Sequence, residues 1–420
     1  MQLEEYYGRL VVDNAQDQHP SQAQQFKAIT ENVCFRCGTK ILDHWQTRQH
    51  ERYCWACAKL GRLSEHHRLY TIAEPHMFSS AGKPVMRWTG KLSPVQAQIS
   101  RELIKSYECG QSHLVYAVTG AGKTEMLYPL LEYVMQHKHR VAYVAPRIDV
   151  VIEISQRIRH DFMIDSVLLY GDSPEEYHYT QLTFATTHQL LNFYQAFDLI
   201  IVDEVDAFPY AGNTLLKNAV AQARLPTGRI VYLSATPMQQ MLRACRKGQL
   251  GLSMMPRRYH GHPLPELTLL IAENWRQRWP YRLKKLLQQY AVTKQRFLIF
   301  VPEIADIPYV LNWVVRYVAA EAVFAADEQR VAKVQAMREH QIQGLVTTTI
   351  LERGVTFPNL DVVILGADEA SYSEAALIQM AGRCGRSKDF PTGLVLCVVT
   401  EKTHKVHRAA KEIRRLNRMR

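Results

Sequence analysis

Long apolar runs are missing from this chain of 420 residues. A membrane span needs roughly 18 consecutive apolar residues. The best candidate, 309–326, is broken by Asn312, Arg316 and Glu321. Cysteine is also scarce, eight in all, which excludes a disulfide scaffold. Acidic residues number 40 against 51 lysines and arginines, so the net charge is +11. That surplus fits a nucleic-acid or anionic-membrane partner, and it also fits a merely basic soluble enzyme. The start, Met1-Gln2-Leu3-Glu4-Glu5-Tyr6, is acidic and lacks the apolar core of a secretory signal. The expectation is a cytoplasmic protein, with a peripheral place at the inner face of the cell membrane left open.

Hydrophobic residues at 47% and charged residues at 22% are globular proportions. The length exceeds one ordinary core, so two large domains and a small module are expected. The expected boundaries are 1–85, 86–255 and 256–420. The last segment, 402–420, carries Lys402, Lys405, Arg408, Lys411, Arg414, Arg415, Arg418 and Arg420 against Glu412 alone. The spacing suits a helix with a cationic side, either functional or simply solvated.

Four of the cysteines form a pattern. Cys34 and Cys37, then Cys54 and Cys57, make two C-x2-C pairs separated by sixteen residues. Each tight turn aims two thiolates at one point, and two turns complete the sulfur tetrahedron that Zn2+ accepts. A redox pair is the competing reading, without a thioredoxin-like context. Four thiolates leave no open position, so the site is structural. Phe35, Arg36, Arg48, Arg52, Tyr53 and Trp55 surround it in sequence. They either contact single-stranded nucleic acid or shield the sulfurs.

The run 114–118 is apolar, as a buried strand should be, and precedes Thr119-Gly120-Ala121-Gly122-Lys123-Thr124. A strand, a glycine loop and a helix make a phosphate-binding loop. The glycines let backbone N–H groups close on phosphate oxygens, Lys123 reaches the outer phosphates, and Thr124 offers a hydroxyl to Mg2+. Ala117 replaces the first glycine of the strict pattern, and Pro129 is expected to kink the following helix. Eighty residues after Lys123, an apolar strand ends in Asp203-Glu204-Val205-Asp206. Asp203 can hold Mg2+ and Glu204 can deprotonate the attacking water. Further strand-like runs at 141–145, 167–170, 182–185 and 230–233 alternate with helical stretches. That is the rhythm of a parallel sheet with helices on both faces. A second sheet begins at 296–301 and continues through Val323, 345–348, 362–365 and 393–399, with no second phosphate loop.

Together these motifs resemble superfamily 2 helicases from about Gln96 to Arg386. Ser234-Ala235-Thr236 resembles the SAT motif that couples hydrolysis to strand movement. Gln379 to Arg386 resembles QxxGRxGR; its Arg383 and Arg386 lie three apart, on one face if the segment is helical, and could approach the γ-phosphate. The resemblance implies two tandem RecA-like α/β domains closing on ATP. It gives Gln96 the adenine edge, places Gly354 near the nucleotide, and lines the strand path with Pro146, Arg147, Thr187, His188 and Thr348. The cysteine module, Ala145-Pro146-Arg147 and 257–263 narrow the resemblance to the late competence ComFA family. That family implies an ATPase pulling single-stranded DNA into the cell, with a competence phosphoribosyltransferase-like protein, a DNA-loading protein and a membrane channel as partners. A restart-type or RNA helicase, and a nucleotide-switched DNA-binding adaptor, are the alternatives.

Overall fold

The computed structural model describes residues 2–13, 18–78, 85–352 and 357–419. By packing, 1–116 with 123–254 form one unit, and 117–122 with 255–420 form a second.

The first unit holds a seven-stranded sheet. Its spatial order is Gly251–Met255, His113–Ala117, Arg224–Ser234, Phe197–Val202, Val141–Ala145, Leu182–Thr186, Ser166–Leu169. The five pairings from His113–Ala117 to Ser166–Leu169 are parallel. Four of the inner strands, His113–Ala117, Phe197–Val202, Val141–Ala145 and Leu182–Thr186, are buried at every residue. Such strands read as continuous apolar runs because helices cover both faces of a parallel sheet.

The second unit holds six strands, all paired in parallel: Leu267–Ile271, Val395–Val399, Leu360–Ile364, Arg296–Phe300, Gly344–Thr347, Ala320–Val323. Its core gathers Trp275, Trp279, Leu287, Tyr290, Phe297 and Val310. The terminal helix His404–Arg418 buries Val406, Ala409, Ile413 and Leu416, a helical stripe that packs on Glu374–Ala381. Its basic residues take the opposite side, where Arg415 pairs with Glu412 at 2.7 Å.

The N-terminal segment contributes a three-stranded antiparallel sheet and the hairpin Ile29–Thr30/Val33–Cys34. It shares a core with the first sheet: the four cysteines cluster with Leu69, Ile200, Val202, Leu216 and Ala219. Polar bonds add to this. Arg140 donates to Tyr7 O (3.0 Å), Thr180 O (3.1 Å), Tyr177 OH (2.9 Å) and Glu74 (2.8 Å). A Cβ on Gly8 would lie 2.5 Å from Ala196 Cβ, so only glycine permits that approach.

Pro129 does not kink a helix. The chain leaves the phosphate loop in a 3-10 turn, Glu125–Leu127, and the α-helix Tyr128–Gln136 starts with Pro129 in its first turn. There the missing N–H needs no intrahelical partner.

Candidate active site and metal centre

The phosphate loop follows strand His113–Ala117, as its sequence predicts. Gly120 and Gly122 adopt φ of +77° and +72°, the left-handed conformation that glycine tolerates. Lys123 is half-buried and Thr124 is buried. Arg157 donates to Thr124 Oγ1 at 3.5 Å, a neighbour that no sequence spacing announces.

Asp203 stands at the end of Phe197–Val202, buried. Its Oδ1 accepts from Glu204 N at 2.7 Å and its Oδ2 from Tyr143 OH at 3.0 Å. Burial first, and then the Asp203 charge, push the Tyr143 hydroxyl far above its ordinary range, so it remains a donor. Glu204 has φ +50°, an uncommon conformation for a residue other than glycine. It sits at the turn that begins the acidic box, where strained backbone recurs in active sites.

Asp206 closes the box and joins it to the Ser234-Ala235-Thr236 motif. Ser234 Oγ donates to Asp206 Oδ1 at 2.7 Å and Thr236 Oγ1 to Asp206 Oδ2 at 2.6 Å. Thr236 N donates to Ser234 Oγ at 3.0 Å. Ala235 is buried beside them.

In the second unit, Arg383 and Arg386 lie outside any helix. Helix Glu374–Ala381 ends at Gly382, and Gly385 at φ +69° continues the turn, so the segment is not helical and the condition for one shared face is not met. Arg383 is buried and Arg386 half-buried, with Arg386 Nε donating to Gly382 O at 3.1 Å. Thr119 Oγ1 donates to the same carbonyl at 3.3 Å. A Cβ on Gly382 would lie 2.0 Å from that hydroxyl.

Other expected residues take local roles. Gln96 Oε1 accepts from Ser93 N at 2.9 Å in a capping box that starts helix Pro94–Glu108. Pro146 is buried, and Arg147 pairs with Asp149 at 3.6 Å. Thr187 is wholly buried, whereas His188 beside it is exposed. Thr348 is half-buried at the end of Gly344–Thr347. Gly354 lies outside the described residues.

The four thiols meet. Their sulfurs all lie within 4.8 Å of one another, with Cys34–Cys57 at 3.8 Å and Cys37–Cys54 at 3.5 Å. Zn–S bonds of about 2.3 Å in a tetrahedron place sulfurs roughly 3.8 Å apart. The donor set and its spacing fit zinc. Arg36 does not face solvent as its charge suggests. It is 1% exposed and donates to Cys57 Sγ (3.1 Å), Cys57 O (2.7 Å), Leu60 O (3.0 Å) and Gly61 O (2.6 Å). Phe35 stacks on Phe26 at 4.3 Å, and Arg52 pairs with Glu65 at 3.2 Å. Trp55 remains exposed.

Comparison with known proteins agrees with this arrangement. Residues 93–244 match the DEAD/DEAH box helicase family and residues 281–388 the helicase conserved C-terminal domain. The chain is 36% identical to competence protein ComFA of Streptococcus pneumoniae, over 99% of this chain and 98% of that protein. The chain belongs to the ComFA family. ComFA of Bacillus subtilis is also 36% identical, across 92% of this chain and 86% of that one. Among solved structures, Saccharomyces cerevisiae Dbp5 bound to RNA and ADP BeF3 superposes with a TM-score of 0.60 at 18% identity. That match covers 79% of this chain and 88% of Dbp5, and it supports the two RecA-like domains. The protein is thus a competence-related, ATP-hydrolysing enzyme of helicase superfamily 2. Among the described residues no helix is long and apolar enough to cross a membrane.

Proposed function

We propose that this chain is an ATP-driven motor that moves along single-stranded DNA during DNA uptake, with strand separation optional. The observation that carries this reading is the wiring of Asp206 to Ser234 and Thr236. It joins the residues beside the hydrolytic acid to a motif whose family role is coupling. A protein that only binds DNA has no use for such a connection.

In this reading the N–H groups of Thr119, Gly120, Ala121 and Gly122 cradle phosphate, and Lys123 binds the outer phosphates. Glu204 takes a proton from the water whose oxygen attacks the γ-phosphorus, and ADP leaves. Arg383 and Arg386 offset the charge that develops on the transferring group. Thr124 and Asp203 are oxygen donors of the kind Mg2+ accepts, and Tyr143 and the Glu204 N–H orient the Asp203 carboxylate. Magnesium, when bound, neutralises charge on the phosphate oxygens. Gln96 reads adenine with its amide, and Gly354 belongs to the nucleotide site.

Residues 1–85 form a module held by zinc on Cys34, Cys37, Cys54 and Cys57. Pro146, Arg147, Thr187, His188 and Thr348 mark the strand path, gripping phosphates without reading sequence. Binding should therefore weaken with salt. A phosphoribosyltransferase-like protein, a DNA-loading protein and a channel at the inner face of the membrane are the partners this reading carries.

The test is phosphate release by the zinc-loaded chain with single-stranded DNA, duplex DNA and RNA. Single-stranded DNA should stimulate most. Lys123→Ala should lower the stimulated rate by about 10²–10³-fold or more, with folding retained. Wild-type turnover in that variant would refute the assignment.

A further inference from the structure

A buried arginine outside the phosphate-loop and arginine motifs has no opposing charge among the described residues. Arg258 is 1% exposed. Its Nη2 donates to Gly382 O at 3.2 Å and its Nη1 to Gly385 O. Both acceptors are neutral carbonyls. Its Nε is buried and has no hydrogen-bond partner among the described residues. No carboxylate among the described residues acts on it. Burial, then the neighbouring Arg386 cation, lower its pKa to about 10, and only the Cys384 thiol opposes this.

A buried cation without a counter-charge is costly, and proteins keep one where a ligand supplies the missing charge. The surroundings name that ligand. Gly120 of the phosphate loop lies against the Arg258 side chain: a Cβ there would meet Cγ at 3.6 Å, Cδ at 3.7 Å and Nε at 3.8 Å. The next residue, Tyr259, donates its N–H to Gly120 O at 3.0 Å, and His260 Nε2 lies 3.2 Å from Gly385 O. The segment therefore ties the phosphate loop to the turn that bears Arg383 and Arg386. All these groups lie in the second unit.

We propose that Arg258 is a third phosphate-responsive arginine, whose buried guanidinium takes its counter-charge from the nucleotide's polyphosphate and holds the Gly382–Gly385 turn in register with it. The inference rests on the phosphate loop being the ATP site. It adds a residue that neither the loop motif nor the arginine motif contains. Phosphate arrival neutralises Arg258, and its two carbonyl contacts pass that change to the backbone between Gly382 and Gly385.

The experiment compares the full-length wild type with Arg258→Gln and Arg258→Lys. It measures equilibrium binding of a non-hydrolysable ATP analogue and of adenosine, and the rise in melting temperature produced by inorganic pyrophosphate. Arg258→Gln should weaken the analogue roughly ten- to hundredfold, the size of one lost charge-assisted hydrogen bond. It should abolish most of the pyrophosphate stabilisation and leave adenosine binding as in the wild type. Arg258→Lys keeps the charge and should keep at least half of the pyrophosphate effect. Equal weakening of analogue and adenosine, or an unchanged pyrophosphate response, would make Arg258 a strut only and overturn the proposal. If Arg258→Gln fails to fold, Arg258→Lys decides: a retained pyrophosphate response sustains the proposal and a lost one overturns it. A wild type that binds no nucleotide removes the ATP-site reading as well. Normal wild-type binding with a normal Arg258→Gln removes this inference alone.

Discussion

The two units share a parallel-sheet plan but treat buried cations in opposite ways. In the first, Arg140 and Glu74 face each other at 2.8 Å with both side chains at 0% exposure, and Arg36 rests on a cysteine sulfur. Among the described residues, Arg140 thus has an anionic partner and Arg36 a thiol, and Arg140 sits where the N-terminal segment joins the first sheet. In the second, apart from Arg383 of the arginine motif, the buried Arg258 and Arg296 contact only carbonyls among the described residues, Arg296 through Pro358 O. Its carboxylate pairs lie nearer solvent, as at Arg276, whose side chain is 43% exposed. A compensated buried charge serves as structure. Of the two uncompensated ones, Arg258 beside Gly120 is the one proposed to take a ligand.

The sharpest way to break this contrast is to remove the metal. Cys37→Ser, or a strong chelator, should release one zinc and cost the N-terminal module on the order of 5–10 kcal/mol of local stability. Hydrogen exchange should quicken across 24–71, while strand Phe197–Val202 stays protected. Uniform protection after zinc loss would show that the shared core holds the module without metal.

Next is Glu74→Gln, which leaves Arg140 buried without its counter-charge. About 3–5 kcal/mol of stability should go, read by denaturant unfolding. A loss under about 1 kcal/mol would mean that the carbonyl and tyrosine contacts of Arg140 suffice.

His113 gives the pH arm. It lies buried between Ser106 and Ser253, and burial pushes its pKa down to about 4. Below about pH 6.5 the unfolded chain takes up a proton that the folded chain refuses. Stability should therefore fall as pH drops from about 6.5 and level off near 4, by on the order of 2–3 kcal/mol. His113→Gln should flatten that slope, and an unchanged slope would assign it to other groups.

The smallest effect belongs to Arg276→Ala. Arg276 makes bonds of 2.7 Å and 3.0 Å to Glu369 and also pairs with Asp306. Solvent screening at that exposure should hold the loss to about 1 kcal/mol or less. A loss near that of Glu74→Gln would erase the distinction between the units.

Much of the fold is legible because buried parallel strands are written as apolar runs. The expected run at 141–145 coincides with a strand, and the runs at 182–185 and 362–365 each fall within a residue or two of one. Strands Gly251–Met255 and Leu267–Ile271 escaped notice. The first mixes glycine and serine with its apolar residues and buries only Ser253 and Met255, while the second is apolar in sequence yet buries none of its residues, so burial there does not follow the pattern. Tyr143 and Arg157 were invisible as site residues for another reason. Tyr143 reaches Asp203 because its strand pairs beside Phe197–Val202, with Ile201 opposite Tyr143, and that register is a long-range choice.

Spacing alone specified the chemistry on offer: a phosphate loop, an acidic box, an arginine motif and four thiols placed to fit a metal. These are short-range patterns in which neighbouring residues share one backbone turn, so spacing alone specifies them. Only the tertiary structure decided which charges are buried and what faces them. It turned Arg36 into the sulfur cluster, placed Arg383 and Arg386 on a glycine turn, and set Arg258 against Gly120 with no counter-charge among the described residues. Burial and electrostatic pairing depend on segments far apart in the chain. No local pattern encodes them, and desolvation becomes decisive only once packing has removed the water.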